Sequence, residues 1–198
     1  MTIIYMVRHG KTDDTGKRIT GYRPGIHLND EGIHHASLAS GYLKASPIRS
    51  VYASPLERTM ETASIIAANH NLPVHSVDFL KELDFGVYQG KGEELVIDPL
   101  WQSFQRDPAS VTFPKGESVQ QAQSRIVEGI VSLNQIHTDD DEIVCVSHCE
   151  VIRLALAYAM DIPIKNYMEL TIDTGSISKV VWNAKQQTAV FINVKYES

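Results

Sequence analysis

Short apolar, β-branched runs alternate along this chain with segments whose apolar residues recur every three to four positions. That alternation predicts an α/β fold, a three-layer α/β/α sandwich around a mostly parallel sheet. Two late runs, Ile177 to Trp182 and Thr188 to Val194, flank the turn-like NAKQQ and predict a hairpin that supplies an antiparallel edge strand. The 198 residues suit a single domain, 1–198, with a sizeable core, and no linker-like stretch divides them.

Each element has its own signal. Thr2 to Val7 is apolar and partly β-branched, and Gly10 stops it, so it reads as a buried strand. A helix follows from about Asn29, capped by Asn29 or Asp30, with Ile33, Ala36, Ser40 and Leu43 at helical spacing. Ser50 to Ala53 is a second strand. SPLE then marks a helix start: Ser54 as N-cap, Pro55 at the first position and Glu57 completing a capping box, with Leu56, Met60, Ala63 and Ala67 facing inward. Pro73 to Val77 reads as a third strand. The stretch from Gly86 to Gly116 is rich in Gly, Pro and aromatic residues, and residues 88–116 are expected to form an excursion covering the active-site edge. Ser118 to about His137 is a long helix, with Ser118 and Gln121 in capping-box spacing and Val119, Ala122, Ile126, Ile130 and Leu133 on one side. Glu142 to Val146 is a strand and Glu150 to Met160 a helix.

Composition narrows the function. A hydrophobic fraction of 43% and a charged fraction of 21% are ordinary for a globular protein, and no run of about 18 apolar residues offers a membrane span. The start, MTIIYMVRHG, lacks the features of a signal peptide, so a cytoplasmic location is expected. Two cysteines, Cys145 and Cys149, make no disulfide framework. A net charge of -6 argues against a nucleic-acid partner. Any anion must be held by a local basic cluster.

Such a cluster is legible. In a parallel sheet, ligands bind beyond the carboxyl ends of the strands, and three segments place polar residues there: Arg8 and His9, Ser54 and Arg58, Ser147 and His148. Two of the three lead into helices, whose N-termini favour anions. Arginine forks suit phosphate oxygens. Transfer of a phosphoryl group needs a nucleophile and a proton donor. His9 fits the first role, because Arg8 and Arg58 would hold its ring neutral at neutral pH. Glu82, in LKELDFG, is preferred to Asp84 as the acid because the loop there begins to fold over the sheet.

Four ordered motifs, Arg8-His9-Gly10, SPLERTMET with Arg58, ELDFGVYQG with Glu82 and SHCEVIR with His148, resemble the histidine phosphatase superfamily, in its phosphoglycerate mutase-like branch. RITGY, LNDEG and FPKGES extend the resemblance over essentially the whole chain. It implies a phosphoglycerate mutase-like fold, His9 as the phosphorylated nucleophile, Glu82 as proton donor and then acceptor, and Arg8, Arg58 and His148 as phosphate clamps. It also implies no metal and no other cofactor, and a small phosphorylated substrate. Thr20 and Gly21 match pocket-lining positions. Thr15 stands where the family usually has a phosphate-contacting asparagine, and Cys149 where glycine is common, its backbone N–H still able to face phosphate. Lys11 replaces an acidic or amide residue and suggests a substrate with a second negative group.

The expected activity is metal-independent hydrolysis of small phosphate monoesters through a phosphohistidine. Alternatives are an α-ribazole or sugar-bisphosphate phosphatase, a phosphoglycerate mutase, or a non-catalytic phospho-ligand binding module. The substrate pocket is expected to involve Tyr22, Arg23 and the excursion, where Trp101, Phe104 and Phe113 serve as core or as substrate wall. Other patterns are weaker. Cys145, His148 and Cys149 lack a fourth zinc ligand, GVYQGKG has one residue too few for a phosphate loop, and a single DTGS would require a homodimer to supply the second carboxylate of an aspartic dyad. Cys149 sits where a helix N-terminus and cations would lower a thiol pKa, against the simpler reading of a small buried filler. Nothing in the sequence specifies an oligomeric state.

Overall fold

The structure, a computed structural model, describes residues 1–137, 140–183 and 187–196. Its strands are β1 (Thr2–Arg8), β2 (Ile48–Ala53), β3 (Val74–Ser76), β4 (Glu142–Ser147), β5 (Ile177–Trp182) and β6 (Gln187–Val194). They form one sheet in the order β3-β2-β4-β1-β5-β6. Pairing is parallel from β3 through β1 and antiparallel at β1–β5 and β5–β6, so the closing hairpin forms the antiparallel edge. The centre of its predicted turn, residues 184–186, lies outside the described residues.

Alternate residues of the central strands feed two apolar layers, because successive strand side chains point to opposite faces. Ile4, Met6, Ile143 and Cys145 pack with helices α4 (Val119–Ile136) and α5 (Cys149–Ala159). Tyr5, Val7, Val144 and Val146 pack with α1 (Asp30–Leu43) and α2 (Glu57–Ala68). Burial on both faces is why β1 and β4 read as continuous apolar runs. Among the described residues no helix is long and apolar enough to cross a membrane.

Asn29 caps α1, its side chain accepting from the Gly32 N–H at 2.9 Å. The inward stripe of α1 begins at Gly32 rather than Ile33, which is 47% exposed. Gly32 leads because the helix meets the end of β1 backbone to backbone: a Cβ at Gly10 would lie 2.2 Å from the Gly32 carbonyl oxygen. Close approach, rather than a turn needing an unusual φ, is what demands glycine there.

The predicted capping box of α2 does not form. Leu56 is the N-cap, without a side-chain cap bond, and Glu57 instead accepts from the Gly25 N–H at 2.9 Å. The Ser54 hydroxyl is engaged by His148, 2.8 Å away, and its local bond is a long one, accepted from the Leu56 N–H at 3.5 Å rather than from Glu57. The box at the start of α4 does form: Ser118 Oγ accepts from the Gln121 N–H at 3.2 Å, and Gln121 Oε1 from the Ser118 N–H at 2.8 Å.

The excursion contains a helix the pattern reading did not assign, α3 (Pro99–Arg106), capped by Asp98 through the Trp101 N–H at 2.9 Å. Asp98 followed by Pro99 was its available signal. Phe85, Tyr88, Phe104 and Phe113 pack edge to face there, with Phe104 and Phe113 each 1% exposed. These two are core.

Candidate active site

The register of the sheet builds the site. Arg8 pairs with Ser147 across β1 and β4, and Ala53 of β2 pairs with Val146, so the three strand ends finish level. One residue further on, the imidazoles of His9 and His148 meet edge to face, with ring centroids 5.1 Å apart. The loop between α5 and β5 backs this corner: the Gly175 N–H donates to the carbonyls of Arg8 at 3.0 Å and His9 at 3.3 Å. DTGS thus serves as a buttress for the end of β1.

Hydrogen bonding sets both tautomers. His9 Nδ1 lies 2.7 Å from the Gly10 carbonyl oxygen, which only accepts, so Nδ1 carries the proton and Nε2 keeps its lone pair. His148 Nδ1 accepts from Arg58 Nη2 at 3.2 Å, and its protonated Nε2 donates to Ser54 Oγ at 2.8 Å. Both rings are buried, and burial, followed by the charge of Arg58, holds each pKa well below the usual histidine value. For His9, Arg8 adds to the depression and the bond to Gly10 opposes it.

Arg58 is fully buried, in the first turn of α2. Its Nη2 also donates to the Gly21 carbonyl at 2.8 Å, while Nε and Nη1 have no partner. Arg8 donates through Nη1 to the Ile172 carbonyl at 2.6 Å, and its Nε is likewise unpartnered. Buried donors of a cation left unsatisfied are costly. Three such N–H-bearing nitrogens at one corner make the site complementary to an anion.

A cavity of about 200 Å³ opens over this corner. Arg8, His9, Thr15, Thr20, Gly21, Glu82 and Cys149 line it, all expected from the sequence, whereas Arg58 and His148 lie fully buried next to them, Arg58 bonded to the Gly21 carbonyl and His148 in ring contact with His9. Thr15 Oγ1 accepts from the Thr12 N–H at 3.0 Å and orders the loop beyond His9. Cys149 begins α5 at the cavity, and burial, then Glu150, pushes its thiol up to about 12, opposite to a reactive low-pKa cysteine.

Glu82 is 7% exposed. Burial, reinforced by the Glu150 carboxylate, raises its pKa to about 7, against the Leu83 N–H, Arg58 and Arg8, which pull it down. A carboxyl group so poised can give or take a proton near neutral pH.

Several expectations need correction. Lys11 does not reach the cavity; its ammonium pairs with Glu31 at 2.6 Å. Tyr22 and Arg23 do not line it either: the Tyr22 N–H is bonded to Gln89, and Arg23 pairs with Asp14 at 3.4 Å. Arg18, Trp101 and Glu150 occupy the wall instead. Glu150 escaped notice because a carboxylate in the first turn of a helix reads as a dipole partner. In the structure its oxygens are held by Arg153 at 2.9 Å and the Tyr167 hydroxyl at 2.5 Å. Among the described residues no group of three or more His, Cys, Asp or Glu side chains is arranged to hold a metal ion.

The chain is similar in sequence and in fold to known proteins. An uncharacterized phosphatase of Bacillus subtilis, PhoE, is 29% identical over 156 residues, covering 79% of this chain and 76% of that protein. A 2,3-bisphosphoglycerate-dependent phosphoglycerate mutase of Thermoplasma acidophilum is 27% identical over 183 residues, covering 91% and 87%. The α-ribazole phosphatase of Shigella flexneri superposes with a TM-score of 0.84 at 25% identity, covering 97% of this chain and 96% of that one. Residues 4–195 match the histidine phosphatase superfamily (branch 1), and the chain belongs to that family.

Proposed function

We propose that this protein is a metal-independent phosphatase that hydrolyses small phosphate monoesters through a phosphohistidine at His9. The observation that carries the reading is the hydrogen bond from His9 Nδ1 to the Gly10 carbonyl, which leaves the Nε2 lone pair free beside unpartnered guanidinium donors. In the first step Nε2 forms a bond to phosphorus, the ester P–O bond breaks, and the Glu82 carboxyl gives its proton to the departing alcohol. In the second, Glu82 takes a proton from water as the water oxygen attacks phosphorus. The P–N bond breaks and inorganic phosphate leaves. Arg8 and Arg58, through the nitrogens left unpartnered, spread the charge that gathers on the equatorial oxygens, while His148, its own N–H given to Ser54, accepts from Arg58 and orients that guanidinium.

Hydrolysis is the reading adopted over mutase action, and the test below separates the two. It is favoured over a binding module by the joint presence of nucleophile and acid, neither of which binding requires. The test is a panel of phosphate monoesters with wild type and His9→Ala, chelator present throughout. Turnover by wild type alone is expected, with acid-labile phosphate trapped on the protein by rapid quenching. Equal turnover by His9→Ala overturns the mechanism, loss of turnover to chelator overturns metal independence, and net transfer to a second hydroxyl instead of water establishes a mutase.

A further inference from the structure

The loop that carries Glu82 has no regular secondary structure of its own beyond the turn Asp78–Leu80, yet it must hold a carboxyl group at the cavity wall. Four consecutive carbonyls of this loop are tied by side chains from elsewhere. Arg125, in the second turn of α4, donates through Nη1 to Phe79 at 2.8 Å and Lys81 at 3.0 Å, and through Nη2 to Glu82 itself at 3.2 Å. Ser147 Oγ, at the end of β4, donates to Leu80 at 2.7 Å. The remaining N–H bonds of Arg125 go to Glu117, from Nη2 to Oε1 at 2.6 Å and from Nε to Oε2 at 3.4 Å. All three of its nitrogens are engaged, in the planar fork that only arginine offers.

Glu117 closes the arrangement from the other side. Its Oε1 also accepts from the Asp84 N–H at 3.0 Å, and its own N–H donates to the Asp84 carbonyl at 2.9 Å. The two strands of backbone are in contact: a Cβ on Gly116 would lie 2.2 Å from the Asp84 oxygen, and one on Gly86 would lie 2.1 Å from the Pro114 oxygen. FPKGES is therefore a brace on the Glu82 loop, and Arg125 is the pin between brace, loop and helix. Arg125 is not among the residues lining the cavity, and its nitrogens are all engaged by the loop and by Glu117, in contrast to the unpartnered nitrogens of Arg8 and Arg58.

We propose that Arg125 is a positioning residue for proton transfer: by fixing the carbonyls of Phe79, Lys81 and Glu82 it holds the Glu82 carboxyl within reach of the leaving oxygen. The proposal rests on the phosphatase reading above, with Glu82 as acid. A loop freed from this pin keeps the nucleophile and the phosphate cluster intact but misplaces the proton. Esters whose alcohol must be protonated as it leaves then suffer, and esters whose leaving group departs as a stable anion do not.

The experiment compares kcat/KM, which reports only steps through formation of the phosphoenzyme, for ethyl phosphate and 2,4-dinitrophenyl phosphate. In Arg125→Met the ethyl ester should slow about 100-fold and the dinitrophenyl ester less than about threefold. Arg125→Lys, which keeps the charge but loses the fork, should show the same bias at smaller amplitude. Slowing of both esters by one factor, or of neither, overturns the proposal. Circular dichroism and thermal melting establish folding; if Arg125→Met does not fold, Arg125→Lys decides by the same criterion. A wild-type protein inert toward both esters overturns the phosphatase reading, and this proposal with it.

Discussion

The imidazole of His9 and that of His148 lie edge to face at 5.1 Å, both buried and both neutral, with Arg58 bonded to the second. Their neutrality has a thermodynamic consequence. The folded pKa of each lies below the unfolded value of 6.5, so as pH falls under 6.5 the unfolded chain binds protons the native state refuses, and stability declines. Glu82 acts in the opposite sense. Its folded pKa of about 7 exceeds its unfolded value of 4.5, so its contribution is fully present below 4.5 and is lost as pH rises through 7. Between 4.5 and 6.5 the two trends oppose. Glu82→Gln should therefore steepen the loss of stability on acidification, by about 1.4 kcal/mol per pH unit. Urea melts at pH 5 and pH 6 measure the slopes, and equal slopes in the two proteins would refute the linkage.

Glu150 and Glu82 share one cavity wall, and the negative charge of the first raises the pKa of the second. Glu150→Gln should make Glu82 lose its proton at lower pH. The descending, alkaline limb of kcat/KM against pH should then move toward acid, with the nucleophile unaffected. A limb that stays in place would show that Glu82 is not the acid it reports.

Arg58 has two unpartnered nitrogens while fully buried, a cost that a bound phosphate would offset. Saturating inorganic phosphate, at about 100 times its Kd, should stabilise the wild type by about 2.7 kcal/mol, which corresponds to a rise in Tm of roughly 5–10 °C. Arg58→Met should show no rise. Thermal melts with and without phosphate decide it, and an equal rise in both proteins would place the anion elsewhere.

Gly10 and Gly32 touch through their backbones, so Gly10→Ala has no flexible side chain to displace. It should destabilise by about 3 kcal/mol or more, since overpacking here moves β1 against α1. Denaturant unfolding measures it. A loss below about 0.5 kcal/mol would mean that the strand end can shift freely, and His9 with it.

Much of this could be read before any coordinates. Arg8, His9, Glu82, Thr15, Thr20, Gly21 and Cys149 all reach the cavity, because strand ends, turns and helix starts are local features and a parallel sheet aligns them. Lys11 misled because a cation two residues from His9 says nothing about Glu31, twenty residues away in sequence and 2.6 Å away in space. Ser54 misled in the same manner: its sequence is that of a cap, yet His148 takes its hydroxyl.

By itself the sequence determined the order of the strands and of the helices other than α3, the buried character of β1, the capping box of α4 and the residues that flank His9. These follow from periodicity, local hydrogen bonding and motif order, all short-range. The tertiary structure alone decided which nitrogen of His9 is free, why Glu82 holds its proton near pH 7, and that Arg125 pins the loop carrying it. Each of these depends on which groups meet across the fold and how deeply they are buried, and electrostatic energies in a low-dielectric interior turn on those separations.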